Sequence, residues 1–300
     1  MIRSLPTIAA ILFLASASGA AAQSSFDWSA VEIKTTALGH SLYMLEGRGG
    51  NIGVSAGEDG VFVIDDQYAP LTPKILDAIA KITPKPVRFV VNTHWHGDHT
   101  GGNENLGNAG VTILAHENVR ARMSTEQVNP LRTTEPAPKA ALPLVTFADG
   151  ITVHLNGLTA RATHVANAHT DGDTFVRFDE ANVIHAGDVF FNGIYPFIDV
   201  FSGGSIDGMI AACDAILALA DDETKIIPGH GALARKADLV AYRAMLADAR
   251  ARIAALVAAG KTEDEAVGAA PLLDLDAKWG QGFVNAERMT RLVYLSLKGR

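Results

Sequence analysis

Six consecutive residues, His94-Trp95-His96-Gly97-Asp98-His99, carry three imidazoles and a carboxylate. They follow closely on Val87–Val91, whose apolar sequence VRFVV reads as a buried strand. A chain that places so many ligand-type side chains at one strand end must fold so that this end lines a polar cleft. Alternation along the strand puts His94 and His96 on one face, where both can reach one metal ion. Glycines in and after the cluster (Gly97, Gly101, Gly102) let the backbone turn so that Asp98 and His99 face a second ion. A structural zinc site would use cysteine, and the cluster has none.

Around this cluster the chain reads as two strand-rich halves. In the first, short β-like runs occupy Val31–Thr36, Ser41–Leu45, Asn51–Ser55 and Val61–Ile64, separated by glycine-rich turns. The spacing of Ile75, Leu76, Ile79 and Ile82 predicts a helix over Pro73–Ile82. Val111–Ala115 and a helix near Glu117–Met123 follow. The Pro-rich stretch Ser124–Leu142, with Pro130, Pro136 and Pro138, reads as a long connection. The second half is expected to begin with strands Leu144–Phe147, Ile151–Leu155 and Leu158–His164, then Thr174–Phe178 and Val183–Ala186. A helix over Ile206–Leu219, a strand at Lys225–Ile227 and an amphipathic helix over Ala237–Ala258 come next. Helices near Thr262–Ala269 and Asn285–Leu297 close the chain. The expected architecture is α/β: two sheets face to face with helices outside, a four-layer α/β/β/α sandwich in one domain over residues 23–300.

Residues 1–22 read as a secretory signal peptide. Arg3 supplies the positive start, Ile8 to Ala15 the short apolar core, and Ala20-Ala21-Ala22 before Gln23 the small-residue cleavage site. The expected location is therefore periplasmic or secreted, with no membrane span in the mature protein. Net charge is −8 and no Lys/Arg stripe is present, which excludes a nucleic-acid footprint. The single cysteine, Cys213, sits among Ala211, Ala212, Ile216 and Leu217 and reads as a buried structural thiol.

Three further short motifs follow the histidine cluster: His169-Thr170-Asp171-Gly172-Asp173, Ala186-Gly187-Asp188 and Pro228-Gly229-His230. Together with H-x-H-x-D-H after a strand, in this order, they resemble the metallo-β-lactamase superfamily, over Val31 to about Tyr242. The resemblance implies that His94, His96 and His169 bind a first ion and Asp98, His99 and His230 a second. Asp188 bridges the two or belongs to the second. The implied ions are two Zn2+ per chain, with iron or manganese compatible with the same ligands. His164 is the one rival to His169. His116 and His185 follow strands and either orient ligands or pack.

The implied reaction is hydrolysis of an acyl bond in a small-molecule substrate, using a water activated between the ions, with Asp98 holding it and relaying a proton. No G-x-S-x-G or S-x-x-K motif offers a serine nucleophile. With export in mind, the leading reading is a β-lactamase-type amide hydrolase with a role in antibiotic resistance. The alternative is a lactonase or glyoxalase-II-like thioesterase. Asp188 stands where many β-lactamases of the family carry Cys, and Phe191 where they carry a carboxylate-binding Lys. Two substrate walls are expected. One is the hairpin Glu46–Gly50 with Arg48, which should be mobile, and the other is a loop over Phe190–Ser205 with Phe191 and Tyr195.

Overall fold

Strand Gly60–Ile64 shows how the layers form. Phe62 and Ile64 point to one side and join a core shared by both sheets. Val61 and Val63 point to the other, under the helix Thr72–Ile82. A strand buried on both faces needs apolar residues at every position, which is why this run does not alternate with polar ones. Each such side chain fully buried contributes roughly 1.5–3 kcal/mol. The computed structural model describes residues 26–129 and 132–299. The expected signal peptide at 1–22 and Pro130 of the connection lie outside the described residues.

The first sheet contains β1 (Lys34–Gly39), β2 (Leu42–Glu46), β3 (Ile52–Gly57), β4 (Gly60–Ile64), β5 (Val87–Asn92) and β6 (Thr112–His116). A short hairpin follows, β7 (Gln127–Asn129) and β8 (Arg132–Thr134), and then β9 (Val145–Phe147). The second sheet is built from β10 (Gly150–Leu155), β11 (Leu158–His164), β12 (Thr174–Phe178), β13 (Val183–Phe191), β14 (Lys225–His230) and β15 (Ala234–Arg235). Spatial orders are β1-β2-β3-β4-β5-β6-β9 and β10-β11-β12-β13-β14-β15. Helices α1 (Thr72–Ile82), α2 (Gly97–Thr100), α3 (Asn103–Asn108) and α4 (Glu117–Met123) belong to the first half. In the second, α5 (Ile206–Leu219), α6 (Lys236–Ala258), α7 (Glu263–Gly268), α8 (Leu273–Trp279) and α9 (Ala286–Leu297) follow.

Three cores stack through the molecule. Met44, Phe62 and Val91 of the first sheet meet Val176, Phe178 and Ile227 of the second. Ile75 and Ile79 of α1 cover the first sheet's outer face. Met209 and Ile216 of α5, Leu246 and Ile253 of α6 and Val293 of α9 cover the second. This is the four-layer α/β/β/α sandwich. Cys213 lies fully buried in the last of these cores, its thiol pushed up by burial.

Three sequence expectations are corrected. Strand β9 pairs in parallel with β6 and so completes the first sheet instead of opening the second half. The connection 124–142, read as the link to the second half, therefore lies within the first half and carries the β7–β8 hairpin. Strand β13 continues past Ala186 to Phe191, with register shifts on β14 around Gly187. Phe190 and Phe191 are therefore strand residues, and Phe190 packs in the core on Tyr242, ring centroids 5.1 Å apart. Among the described residues, no helix is long and apolar enough to cross a membrane.

Candidate metal centre

Strands β4, β5 and β6 run parallel, as do β13 and β14. The loops that leave β4 and β5, the last residues of β13 and the end of β14 meet at one edge of the sandwich. The backbone leaving β4 turns sharply at Asp65, whose φ of 62° lies in the left-handed region. That turn aims the buried Asp65 carboxylate at the loop after β5, where it accepts hydrogen bonds from Thr93 N at 2.7 Å and Thr93 Oγ1 at 2.8 Å. The same carboxylate accepts from His99 Nδ1 at 2.7 Å. Asp65 is a functional residue that sequence reasoning missed; its signal was an acidic pair, Asp65-Asp66, directly after an apolar strand.

The acceptors around each imidazole fix which nitrogen faces inward. Thr93 Oγ1 spends its proton on Asp65, so at 3.0 Å it must accept from His94 Nδ1, leaving the His94 Nε2 lone pair free. His96 Nε2 donates to Asp199 Oδ2 at 2.9 Å, which leaves Nδ1 as its free lone pair. His169 Nδ1 donates to the Phe197 carbonyl at 2.6 Å, which leaves Nε2. These free nitrogens converge: His96 Nδ1 and His169 Nε2 are 2.8 Å apart. Asp188 Oδ2 lies 3.4 Å from His169 Nε2 and 3.8 Å from His94 Nε2. The other oxygen, Asp188 Oδ1, lies 3.0 Å from His99 Nε2 and 3.4 Å from His230 Nε2. Asp98 Oδ2 completes that second set, 3.3 Å from His230 Nε2. Two groups result, His94-His96-His169-Asp188 and Asp98-His99-His230, each with its ligand atoms within 4.8 Å of one another.

The residues fit metal ions. His94 Nε2 and Asp188 Oδ1 are buried without a hydrogen-bond partner. Such orphans cost roughly 1–3 kcal/mol each. Lone pairs facing at 2.8 Å repel unless a cation lies between them, and a proton is a poor candidate. Burial drives the His169 pKa down to about 4 and holds that of His94 well below its usual value, with His99 adding to the latter. The second group behaves oppositely. Burial opposes charge on His230 and His99, but the carboxylates outweigh it. Asp188 and Asp98 lift His230 to about 9, and Asp188, Asp65 and Asp98 hold His99 well above the usual range. Asp188 stays ionised despite its burial because His99, His230 and His94 surround it.

Two glycines are spatial requirements of this centre. A Cβ at Gly50 would lie 2.1 Å from His99 Cε1, and one at Gly229 would lie 2.0 Å from Asp188 Oδ1. His164 is in neither group; its ring stacks on His116 at 3.7 Å, and its Nδ1 donates to the Asp173 carbonyl at 2.9 Å. His185 donates from Nε2 to the Asn51 carbonyl at 3.0 Å, while Asn51 Nδ2 donates to Pro228 O and Gly231 O at 2.9 and 2.8 Å. It thus acts, through Asn51, on the backbone either side of His230 at the end of β14, not on a ligand ring.

Above the ligands opens a cleft of about 650 Å³ whose lining includes Arg48, Phe191 and Tyr195. Phe191 stacks on the His230 ring, centroids 5.2 Å apart and 16° from parallel. Tyr195 is almost wholly buried, and its hydroxyl donates to the Leu272 carbonyl at 3.4 Å, so it supports the wall from behind. The hairpin carrying Arg48 is hydrogen-bonded to the centre at its Gly50 end. Gly50 N donates to Asp98 O at 3.1 Å, and Gln67 Nε2 donates to Gly50 O at 2.7 Å. Asp199, Phe283, Val284 and Arg288 also line the cleft. Sequence reasoning missed these too, since nothing local marks them as neighbours of the histidines.

Residues 45–230 match the family model described as the metallo-beta-lactamase superfamily. The chain is 25% identical over 170 residues to a metallo-beta-lactamase type 2 of Bacteroides fragilis, covering 56% of this chain and 61% of that protein. It is 27% identical over 186 residues to a hydroxyacylglutathione hydrolase of Polaromonas sp. (strain JS666 / ATCC BAA-500), covering 59% and 64%. It thus spans less than two thirds of the length of these relatives. Among solved structures, a sec-alkylsulfatase from Pseudomonas sp. superposes with a TM-score of 0.69 at 19% identity, over 89% of this chain and 50% of that one. A metallo-beta-lactamase from Pontibacter korlensis superposes at 0.60 and 17% identity, over 72% of this chain and 100% of that one. At these identities the superpositions speak for the fold.

Proposed function

Because this chain belongs to the metallo-beta-lactamase superfamily, we propose that it is an exported two-metal hydrolase that cleaves an acyl bond in a small molecule. The observation that carries this reading is Asp188, which turns one carboxylate oxygen to each group of ligand atoms. His94, His96 and His169 would hold one ion, Asp98, His99 and His230 the other, and Asp188 both. Zinc suits imidazole and carboxylate, and iron or manganese can use the same set. When bound, such ions supply Lewis acidity toward a carbonyl and lower the pKa of a water.

The protein's own groups do the rest. Asp98 is partly open to the cleft, and burial alone would raise its pKa, but His99 and His230 hold the carboxyl ionised. It can therefore accept a hydrogen bond from a water and orient it. Phe191 lies flat on His230 and excludes bulk water from that side. Asp199 and the Phe197 carbonyl keep two histidines in the tautomers that point lone pairs inward.

A lactone or thioester suits the site better than a β-lactam. A hard carboxylate occupies position 188, and the side chain three residues on is aromatic, so no cation there holds a substrate carboxylate beside the ligands. The relative named hydroxyacylglutathione hydrolase agrees with this preference. The β-lactamase reading rests on the Bacteroides relative and on the signal-like residues 1–22. Nitrocefin, a lactone, a thioester, a sulfate ester and a phosphodiester should be compared on metal-loaded protein. We expect the lactone or thioester to be turned over fastest. Efficient nitrocefin cleavage with inert lactone and thioester would reverse the ranking, and turnover of the sulfate ester or phosphodiester alone would overturn acyl hydrolysis.

A further inference from the structure

The arginines of the outer helices are nearly all paired. Arg243 binds Asp214 at 2.9 Å, and Arg252 binds Asp248 at 2.7 Å and Asp274 at 2.6 Å. On α9, Arg291 meets Glu263, Asp264 and Glu287 at 2.9, 3.0 and 3.4 Å. Arg288, three residues earlier on the same helix, pairs with no carboxylate among the described residues, although the chain is acidic overall. Its guanidinium instead lies 4.1 Å above the Phe283 ring, with Nη1 donating to the Phe283 carbonyl at 3.3 Å. It also sits in the first turn of α9, capped by Asn285, where the helix dipole disfavours a cation. Pairing and helix electrostatics both fail to account for it.

Its place in the cleft does account for it. An aromatic path leads out from the ligands: His169 to Phe197 at 6.1 Å, then Phe197 to Phe283 at 6.2 Å, edge to face. Phe283 is 70% exposed, and Arg288 crowns it. Arg48 is held in the same way, 4.8 Å above the Phe26 ring and without a carboxylate partner among the described residues. Both arginines line the cleft. A guanidinium seated over a ring keeps most of its N–H donors available and loses little further freedom on binding an anion.

We propose that Arg288, assisted by Arg48, binds a carboxylate at the end of the substrate remote from the scissile bond, with an apolar body lying on Phe197 and Phe283. This deepens the acyl-hydrolase reading and rests on it for the scissile bond, but the anion site can be measured without turnover. Planar carboxylate and guanidinium pair through two parallel hydrogen bonds, which gives the pocket both charge and direction selectivity.

The test is calorimetric binding of 4-phenylbutyrate and of its neutral amide to the metal-loaded protein, in wild type, Arg288→Gln, Arg288→Lys and Arg48→Gln. Wild type should prefer the carboxylate by about 10-fold or more, as expected for a charge-assisted pair. Arg288→Gln should collapse that preference, Arg288→Lys should keep part of it, and Arg48→Gln should reduce it less. If Arg288→Gln keeps the wild-type preference, or wild type has none, the proposal is overturned. A carboxylate held by the ions themselves is the first of those outcomes, and His230→Ala would then abolish the preference. Thioester and lactone turnover on the same preparations reads the acyl-hydrolase assignment separately. A collapsed preference with no turnover leaves the anion site standing and removes the acyl bond.

Discussion

The two ligand groups share Asp188 and are otherwise built by different physics. In the first, three buried imidazoles have each given their outer N–H to a fixed acceptor: Thr93 Oγ1, Asp199 Oδ2 and the Phe197 carbonyl. In the second, carboxylates and imidazoles face one another, and the half-buried His230 and Asp98 stand open to the cleft. The first group is ordered by its surroundings and keeps lone pairs ready. The second is held by its own opposite charges, so protons compete there with metal. A preorganised neutral group should bind tightly over a wide pH range, and a charged one should exchange more readily.

Removing a ligand from each group separates them most strongly. His169→Ala should lower turnover by about 1,000-fold or more, several kcal/mol of transition-state stabilisation, while far-UV circular dichroism stays native. His96→Ala should behave alike, and His230→Ala should cost less. An equal or larger loss for His230→Ala would erase the distinction, and full activity in His169→Ala would remove that residue from the centre.

The two glycines sharpen it next. Gly50→Ala pushes on His99 alone, whereas Gly229→Ala pushes on Asp188, which serves both groups. Each should destabilise the fold by about 1–3 kcal/mol through overpacking. Metal analysis should find one ion retained in Gly50→Ala and neither in Gly229→Ala. Two ions in Gly229→Ala would mean that Asp188 does not link the groups.

The outer acceptors give a smaller, selective effect. Asp199→Asn should weaken the first ion by about 10–100-fold in chelator competition and spare the second, whereas Asp65→Asn should weaken both, because Asp65 holds His99 directly and His94 through Thr93. Equal weakening of both ions by Asp199→Asn would show that the groups are not held independently.

The mildest test is pH. In the metal-free protein the His230 pKa is raised from 6.5 to about 9, against the burial that would lower it, by Asp188 and Asp98. A raised histidine stabilises the fold fully below its unfolded value and loses that contribution as pH climbs through its folded one. The Tm of metal-free protein should therefore fall between about pH 6.5 and 9, and metal uptake by the second group should strengthen over the same window. A metal-free Tm that rises across it would contradict the charged character assigned to that group.

The local sequence already determined much of this protein. The sequence put His94, His96, Asp98 and His99 together just beyond a strand, although β5 ends at Asn92 and Asp98 and His99 stand on the short helix α2, and it put Asp188 and His230 at strand ends, where β13 and β14 run on to include them. The four layers follow from apolar runs buried on both faces, such as Val61–Ile64. These features are local, because side-chain direction repeats every two residues in a strand and every 3.6 in a helix, whatever lies elsewhere. Tertiary structure alone decided that β9 completes the first sheet, that Gly50 packs against the His99 ring, and which nitrogen of each histidine turns inward. It also brought Asp199, Phe283 and Arg288 to the cleft from positions far along the chain. Each of those depends on a partner supplied by a distant segment, and pairing across a long loop is chosen by packing and by the satisfaction of buried polar groups, which no local pattern records.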